Sequence, residues 1–236
     1  MNIVKHPDMH EKLNVVKSKK IIFGHQSVGY NIVKGLDRIV NETGVTGFNL
    51  VESKNTMNSK GGIFAHCKIG RNQAPKEKIS DFATLIEANH DSVDIAMMKL
   101  CYADIQADTD IEDLFMTYTQ KMDSLEIKYP DIQFIHFTVP VKVKEPFIKR
   151  TLKKILGKDQ SVKRFAYNEL VRNKYAGKNL FDLALLETGD TLNMRSSEKK
   201  WLHKEYTDDG AHLNEAGSGW IAANLIRFIA GNQVEK

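Results

Sequence analysis

Cysteine is scarce in this chain of 236 residues. It has two, Cys67 and Cys101, so at most one disulfide is possible and a disulfide-stapled scaffold is excluded. Both thiols are expected to be reduced and partly buried. Long apolar runs are missing too. None approaches the roughly 20 residues a membrane-spanning helix needs, so no integral membrane segment is expected. The opening residues, MNIVKHPDMHEKLN, are polar and lack a signal-peptide pattern. As written, the chain suits the cytoplasm; a secreted or periplasmic form would have lost its targeting segment. Neither sign of charge dominates: 34 Lys and Arg face 30 Asp and Glu, a net +4. That balance gives no electrostatic case for nucleic acid. There is no internal repeat, low-complexity tract or linker. One domain over 1–236 is therefore expected, with residues 1–19 as a polar N-terminal extension that has room for a short helix at Met9–Val16. Oligomeric state is left open.

What is present is an ordinary globular composition, 42% hydrophobic, with strand and helix patterns in alternation. Strands are predicted at Lys20–Gly24, Phe48–Glu52, Val93–Leu100, Ile132–Val139 and Asn179–Leu185. Helices are predicted from Ser27 to Val40, from Pro75 to about Ile86, from Ile111 to Leu125, over most of 146–175, and from Asn214 to Ala230. Residues 53–75, rich in glycine and polar side chains, read as a long loop. Five alternations imply a parallel sheet of about five strands covered by helices on both faces, an α/β/α three-layer sandwich. In such sheets reactive groups collect at the carboxyl ends of the strands.

Two stretches carry the chemistry. At the first, the apolar run Ile21-Ile22-Phe23 passes through Gly24-His25-Gln26 into Ser27, and Val28, Ile32, Leu36 and Ile39 then fall on one helical face. Ser27 thus stands where a buried strand becomes a helix, beside unpaired N–H groups and the positive end of a helix dipole. The plain alternative is a helix-capping serine. The second stretch, Thr-Asp-Asp-Gly-Ala-His-Leu-Asn-Glu-Ala-Gly at 207–217, puts Asp209 and His212 three apart in a turn before the last helix. There a carboxylate can fix the imidazole tautomer while the other ring nitrogen takes a proton.

Together the two ends resemble the SGNH (GDSL-type) hydrolase family, which has a serine after its first strand and a DxxH pair before its last helix. The resemblance runs over nearly the whole chain. It implies a flavodoxin-like sandwich and a serine ester hydrolase, with Ser27 as nucleophile, His212 as general base and then acid, and Asp209 as the orienting group. It also implies an oxyanion hole formed by the Ser27 N–H and a glycine after the second strand. Gly70 is the candidate, with Gly62 as alternative. Two family blocks are altered. His25-Gln26 replaces the acidic residue before the serine, and Ala103 stands where the third block has asparagine, although Asp104 keeps its aspartate. Asn72, two residues after Gly70, is the candidate for the missing amide. His25, His66 and Asp104 are candidate cleft-lining residues.

Other patterns carry less. Gly24 and Gly29 have a phosphate-loop spacing, but Tyr30-Asn31 follow in place of Lys-Ser/Thr. His25 occupies the first glycine position of a GxSxG elbow. Cys101 reads as a buried thiol, and His6 and His10 as solvated. Asp208, Asp209 and His212 lack a second cluster to complete a metal site. No metal and no cofactor is expected. Lysines and arginines crowd 142–164 (Lys142, Lys144, Lys149, Arg150, Lys153, Lys154, Lys158, Lys163, Arg164) against Glu145 and Asp159. This segment reads as a solvated helical face able to attract an anionic substrate, without the aromatic interleaving of a single-stranded nucleic-acid binder. The expected substrate is a small-molecule or glycan ester, with carbohydrate O-acyl esterase first. A lysophospholipase or thioesterase comes next, and a catalytically silent binding domain on the same fold stands as the alternative from another class.

Overall fold

A computed structural model describes residues 8–56, 59–177, 179–189 and 201–231; the side chains of 149, 150, 153 and 154 lie outside that set, as does His6. The strands are β1 Lys20–His25, β2 Leu50–Glu52, β3 Ile63–Lys68, β4 Ile95–Met98, β5 Gln133–Phe137 and β6 Leu180–Phe181. They form one six-stranded sheet in the order β2-β3-β1-β4-β5-β6, and every neighbouring pair is parallel. The helices are α1 Met9–Val16, α2 Ser27–Thr43, α3 Pro75–Glu87, α4 Ile111–Lys128, α5 Phe147–Ile155, α6 Gln160–Tyr175, α7 Leu183–Leu186 and α8 Glu215–Ile229.

Alternation along the strands divides the core into two layers. Ile21 and Phe23 of β1 pack with α1, α2 and α8. Ile22, between them, faces α3, α4 and α6. Helix starts and stops follow local chemistry. Asp110 accepts from the N–H groups of Glu112 (3.1 Å) and Asp113 (3.0 Å) at the head of α4, and Asn214 accepts from Gly217 N–H (3.1 Å) at the head of α8. Gly44 ends α2 with φ 68°, a conformation that glycine takes without strain. Helices α2 and α8 meet backbone to backbone. A Cβ at Gly35 would lie 2.2 Å from the Ser218 carbonyl oxygen, so this approach requires glycine. On α8, Arg227 Nε reaches Asp8 Oδ2 at 3.2 Å, just ahead of α1.

The sheet has six strands, one more than the alternation suggested. The extra one, β3, lies inside the stretch read as a long loop. Its residues Ile63-Phe64-Ala65-His66-Cys67 are all buried, but His66 interrupts the apolar run and Gly61-Gly62 precede it. The last strand is shorter than expected. After Phe181, Asp182 accepts from Leu185 N–H at 3.2 Å and turns the chain into α7. The basic segment is not uniformly solvated either: Phe147, Ile148, Leu152 and Ile155 are exposed on α5, whereas Arg164 on α6 is buried.

Candidate active site

Ser27 begins α2 two residues after β1 ends. The residue before it, Gln26, is extended (φ −137°, ψ −164°) and does not cap the helix with its side chain. Its amide instead donates to the carbonyls of Ile69 (3.0 Å) and Gly70 (2.7 Å), tying the serine corner to the loop after β3. The first N–H groups of α2 therefore receive no side-chain acceptor from Gln26, and a helix start supplies none from within.

Beneath this corner is a pair of buried imidazoles. His25 Nδ1 lies 3.2 Å from the Gln26 carbonyl and His25 Nε2 lies 3.0 Å from His66 Nδ1. A carbonyl only accepts, so His25 carries its proton on Nδ1 and His66 Nδ1 donates to His25 Nε2. Burial, reinforced by His66 and Lys99, pushes His25 down to about 3. Burial also lowers His66, against the pull of Glu52. The pair is neutral at physiological pH. Gly29 is required above it, because a Cβ there would lie 2.3 Å from the Cβ of His25. Neither histidine lines a cleft; with 1% and 5% of their surfaces exposed, they form its underside.

The turn at 207–212 is its opposite in character. Asp209 Oδ1 accepts from the N–H groups of Ala211 and His212, both at 2.8 Å, and Oδ2 accepts from His212 Nδ1 at 2.6 Å. The His212 backbone N–H, then its ring, hold the Asp209 carboxyl well below the usual carboxylate range. Gly210, at φ +82°, makes the bend. Since Nδ1 donates to the carboxylate, the lone pair of His212 lies on Nε2, and Tyr102 Oη sits 3.2 Å from it.

Tyr102 places that nitrogen in the sheet. It follows β4, which pairs with β1 in the register Gly24↔Met98, and Lys99 N–H donates to Gly24 O at 3.2 Å. Ser27 and the Tyr102–His212 pair thus rise from neighbouring strand ends at one carboxyl edge. Asp209 and His212 are in contact. Among the described residues no hydrogen bond joins Ser27 to His212.

The oxyanion candidates separate. The Gly70 N–H donates to Asp81 Oδ2 at 2.8 Å, so it is committed elsewhere. Gly62 precedes β3 and so lies at the opposite edge of the sheet, where a Cβ would meet Lys17 O at 2.0 Å. Asn72 is exposed; its Oδ1 accepts from Lys78 Nζ at 2.9 Å, which leaves its Nδ2 as the donor end. Asp104, expected at the cleft, is 2% exposed. It accepts from Lys78 Nζ (2.8 and 2.7 Å), Gln73 N–H (2.9 Å) and Cys101 N–H (2.6 Å), and so pins the loops after β3 and β4 from below.

Gln26, Tyr102 and Arg164 are neighbours of the site that the sequence pattern did not single out for these places. Gln26 registered only as a departure from the family block. Tyr102 sat in a block read for its missing asparagine, and Arg164 was one cation among many. A pocket of about 340 Å³ opens beside Asp209 and Gly210, walled by Lys142, Lys144, Arg164 and Trp201. A wider concavity of about 920 Å³ lies where β5 begins, around Pro130–Phe134 and Gly177, at the edge away from Ser27.

A parallel sheet covered on both faces, with a serine at the head of the helix after β1 and an Asp-His turn before the last helix, is an α/β/α sandwich whose fold is shared with solved structures described as esterases and SGNH hydrolases. Solved structures bear this out at the level of the fold. An acetyl xylan esterase, AlAXEase, superposes with TM-score 0.53 at 16% identity over 87% of this chain and 97% of its own. A protein from Slackia heliotrinireducens described as an SGNH hydrolase superposes with TM-score 0.51 at 16% identity over 89% and 97%. A protein from Parabacteroides merdae described as a GDSL-like lipase gives TM-score 0.50 at 11% identity over 93% and 98%. No family model matches the sequence, and no curated protein matches it.

Proposed function

We propose that this chain is a serine ester hydrolase of the SGNH type, whose first task is removal of acyl groups from carbohydrate. The carrying observation is the Asp209–His212 pair, which directs a basic Nε2 to the strand edge where Ser27 begins α2. In this mechanism Ser27 Oγ attacks the ester carbonyl and passes its proton to His212 Nε2, while Asp209 holds Nδ1–H and steadies the imidazolium. Charge on the tetrahedral oxygen is met by the Ser27 N–H and by Asn72 Nδ2. His212 then protonates the departing alcohol, and water, activated by the same nitrogen, releases the acid from Ser27. Tyr102 Oη occupies Nε2 at rest, so it must yield that position to Ser27 during turnover. No cofactor enters any step.

The acyl-carbohydrate preference draws on the fold shared with the acetyl xylan esterase. Acetylated oligosaccharide, a lysophospholipid and an acyl thioester, offered in parallel, test it. The hydrolase itself is tested with p-nitrophenyl acetate on wild type, Ser27→Ala and His212→Ala. Both substitutions should abolish turnover. Equal rates in all three proteins would overturn the assignment and favour a silent binding domain, the reading that Tyr102 seated on Nε2 supports.

A further inference from the structure

Arg164 is anomalous by the ordinary accounting of buried charge. It is 5% exposed, yet among the described residues no carboxylate lies within ion-pair distance of it. A guanidinium stays protonated at any physiological pH and presents five N–H donors in a rigid fork. Among the described residues its hydrogen bonds are two long ones, both from Nη1 at 3.4 Å, to Tyr102 O and Gln160 Oε1. Burying a charge is costly unless it is well paired; Asp159 and Glu145 are near enough to favour the charged form but do not touch it.

The acidic residues around it have other partners as well. Asp159 caps α6 through Ser161 N–H (3.0 Å) and Oγ (2.5 Å). Asp209 is held by His212, and Glu145 has partners of its own. The pocket that Arg164 lines also receives Lys142 and Lys144, and its carboxylates are Glu145, Asp159 and Asp209. Lys142 Nζ stands 5.2 Å above the Tyr102 ring, and Arg164 touches the backbone of that same tyrosine. The positive wall and the proposed catalytic base are therefore built around one residue.

We infer that this pocket is an anion subsite, and that the ester cleaved at Ser27 belongs to a molecule carrying a carboxylate or phosphate seated on Arg164. The inference rests on the hydrolase reading for its catalytic consequence, but not for binding. A planar, bidentate anion matches the unused edge of the guanidinium. Lys144, exposed at the mouth, adds attraction without desolvation cost. Two sources share the chemistry: an acidic sugar, such as an O-acetylated uronate, and a phosphorylated acyl carrier such as a lysophospholipid.

The test measures kcat/KM on O-acetylated polygalacturonate, on acetylated neutral xylan and on a lysophosphatidic acid, for wild type, Arg164→Gln, Arg164→Lys and Lys144→Glu. Wild type should prefer an acidic substrate; whichever acidic substrate is favoured identifies the source. Arg164→Gln should reduce the acid-over-neutral preference by about 30-fold, the scale of a charged hydrogen bond, with Arg164→Lys in between. Lys144→Glu, at an exposed position that leaves the packing at 164 untouched, should reduce it severalfold. Galacturonate and inorganic phosphate titrated calorimetrically into Ser27→Ala protein separate the two claims. Binding there that Lys144→Glu weakens supports the subsite even if turnover is never found. Hydrolysis of neutral and acidic esters with equal preference in all four proteins, or no binding of either anion, overturns it.

Discussion

The two corners that meet at this site are built on opposite principles. At the end of β1, position is set by a dry chain of neutral groups: His66 to His25, His25 to the Gln26 carbonyl, and the Gln26 amide to the loop after β3. At 207–212 it is set by charge in the open, with the side chains of His212 and Asp209 39% and 55% exposed. The proposed nucleophile needs fixed backbone, and buried hydrogen bonds supply it because breaking one leaves an unsatisfied group. The proposed base would gain and lose a proton in each cycle, and it sits where water and a carboxylate can accommodate either state. The difference suggests that damage at the first corner appears as lost stability, and damage at the second as lost rate.

The sharpest test of that division is removal of the reacting groups. Ser27→Ala and His212→Ala should lower kcat by about 10³-fold or more while leaving the thermal midpoint nearly unmoved. Asp209→Asn should lower kcat by roughly 10²-fold, less than for a buried triad carboxylate because solvent also supports the exposed ring; a rate equal to wild type would remove Asp209 from the mechanism. The buried corner should respond to pH instead. His25 titrates lower folded than unfolded, so the unfolded chain binds more protons between about 3 and 6.5. Its contribution to stability is complete above pH 6.5 and is lost as pH falls towards 3, on the order of 5 kcal/mol in all. Urea midpoints of wild type and His25→Asn across that range should converge at acid pH. Parallel curves would mean the imidazole pair is not the acid-sensitive element. The smallest change is at the seam between the corners: Tyr102→Phe frees Nε2 of one hydrogen bond and should raise kcat/KM about 2- to 5-fold. A fall of that size would instead make Tyr102 a participant in turnover.

Much of this was legible in the sequence, and the omissions have physical causes. Helical faces repeat strongly, so α1 and the start of α2 fall where the pattern puts them. The strand β3 escaped because a buried histidine looks polar in sequence, and its partner His25 lies far away along the chain. Asp209 and His212 were legible because their interaction is local, three residues apart within one turn. The oxyanion side was not, because the fate of each donor depends on distant partners: Asp81 takes the N–H of Gly70, and Lys78 takes the oxygen of Asn72. Arg164 illustrates the same limit. Composition counts a cation, but only packing shows that it is buried and that, among the described residues, no carboxylate touches it.

The glycine contact between α2 and α8 bears on how the protein is made. Gly35 leaves the ribosome long before Ser218. Until α8 emerges, the apolar face of α2 that it covers has no cover, and the turn bearing Asp209 and His212 has no helix to brace it. The nascent chain thus carries its serine corner without the proposed base until α8 closes on α2. A larger side chain at position 35 would hold that seam open, leaving the Ser27 corner and the 207–212 turn unable to come together.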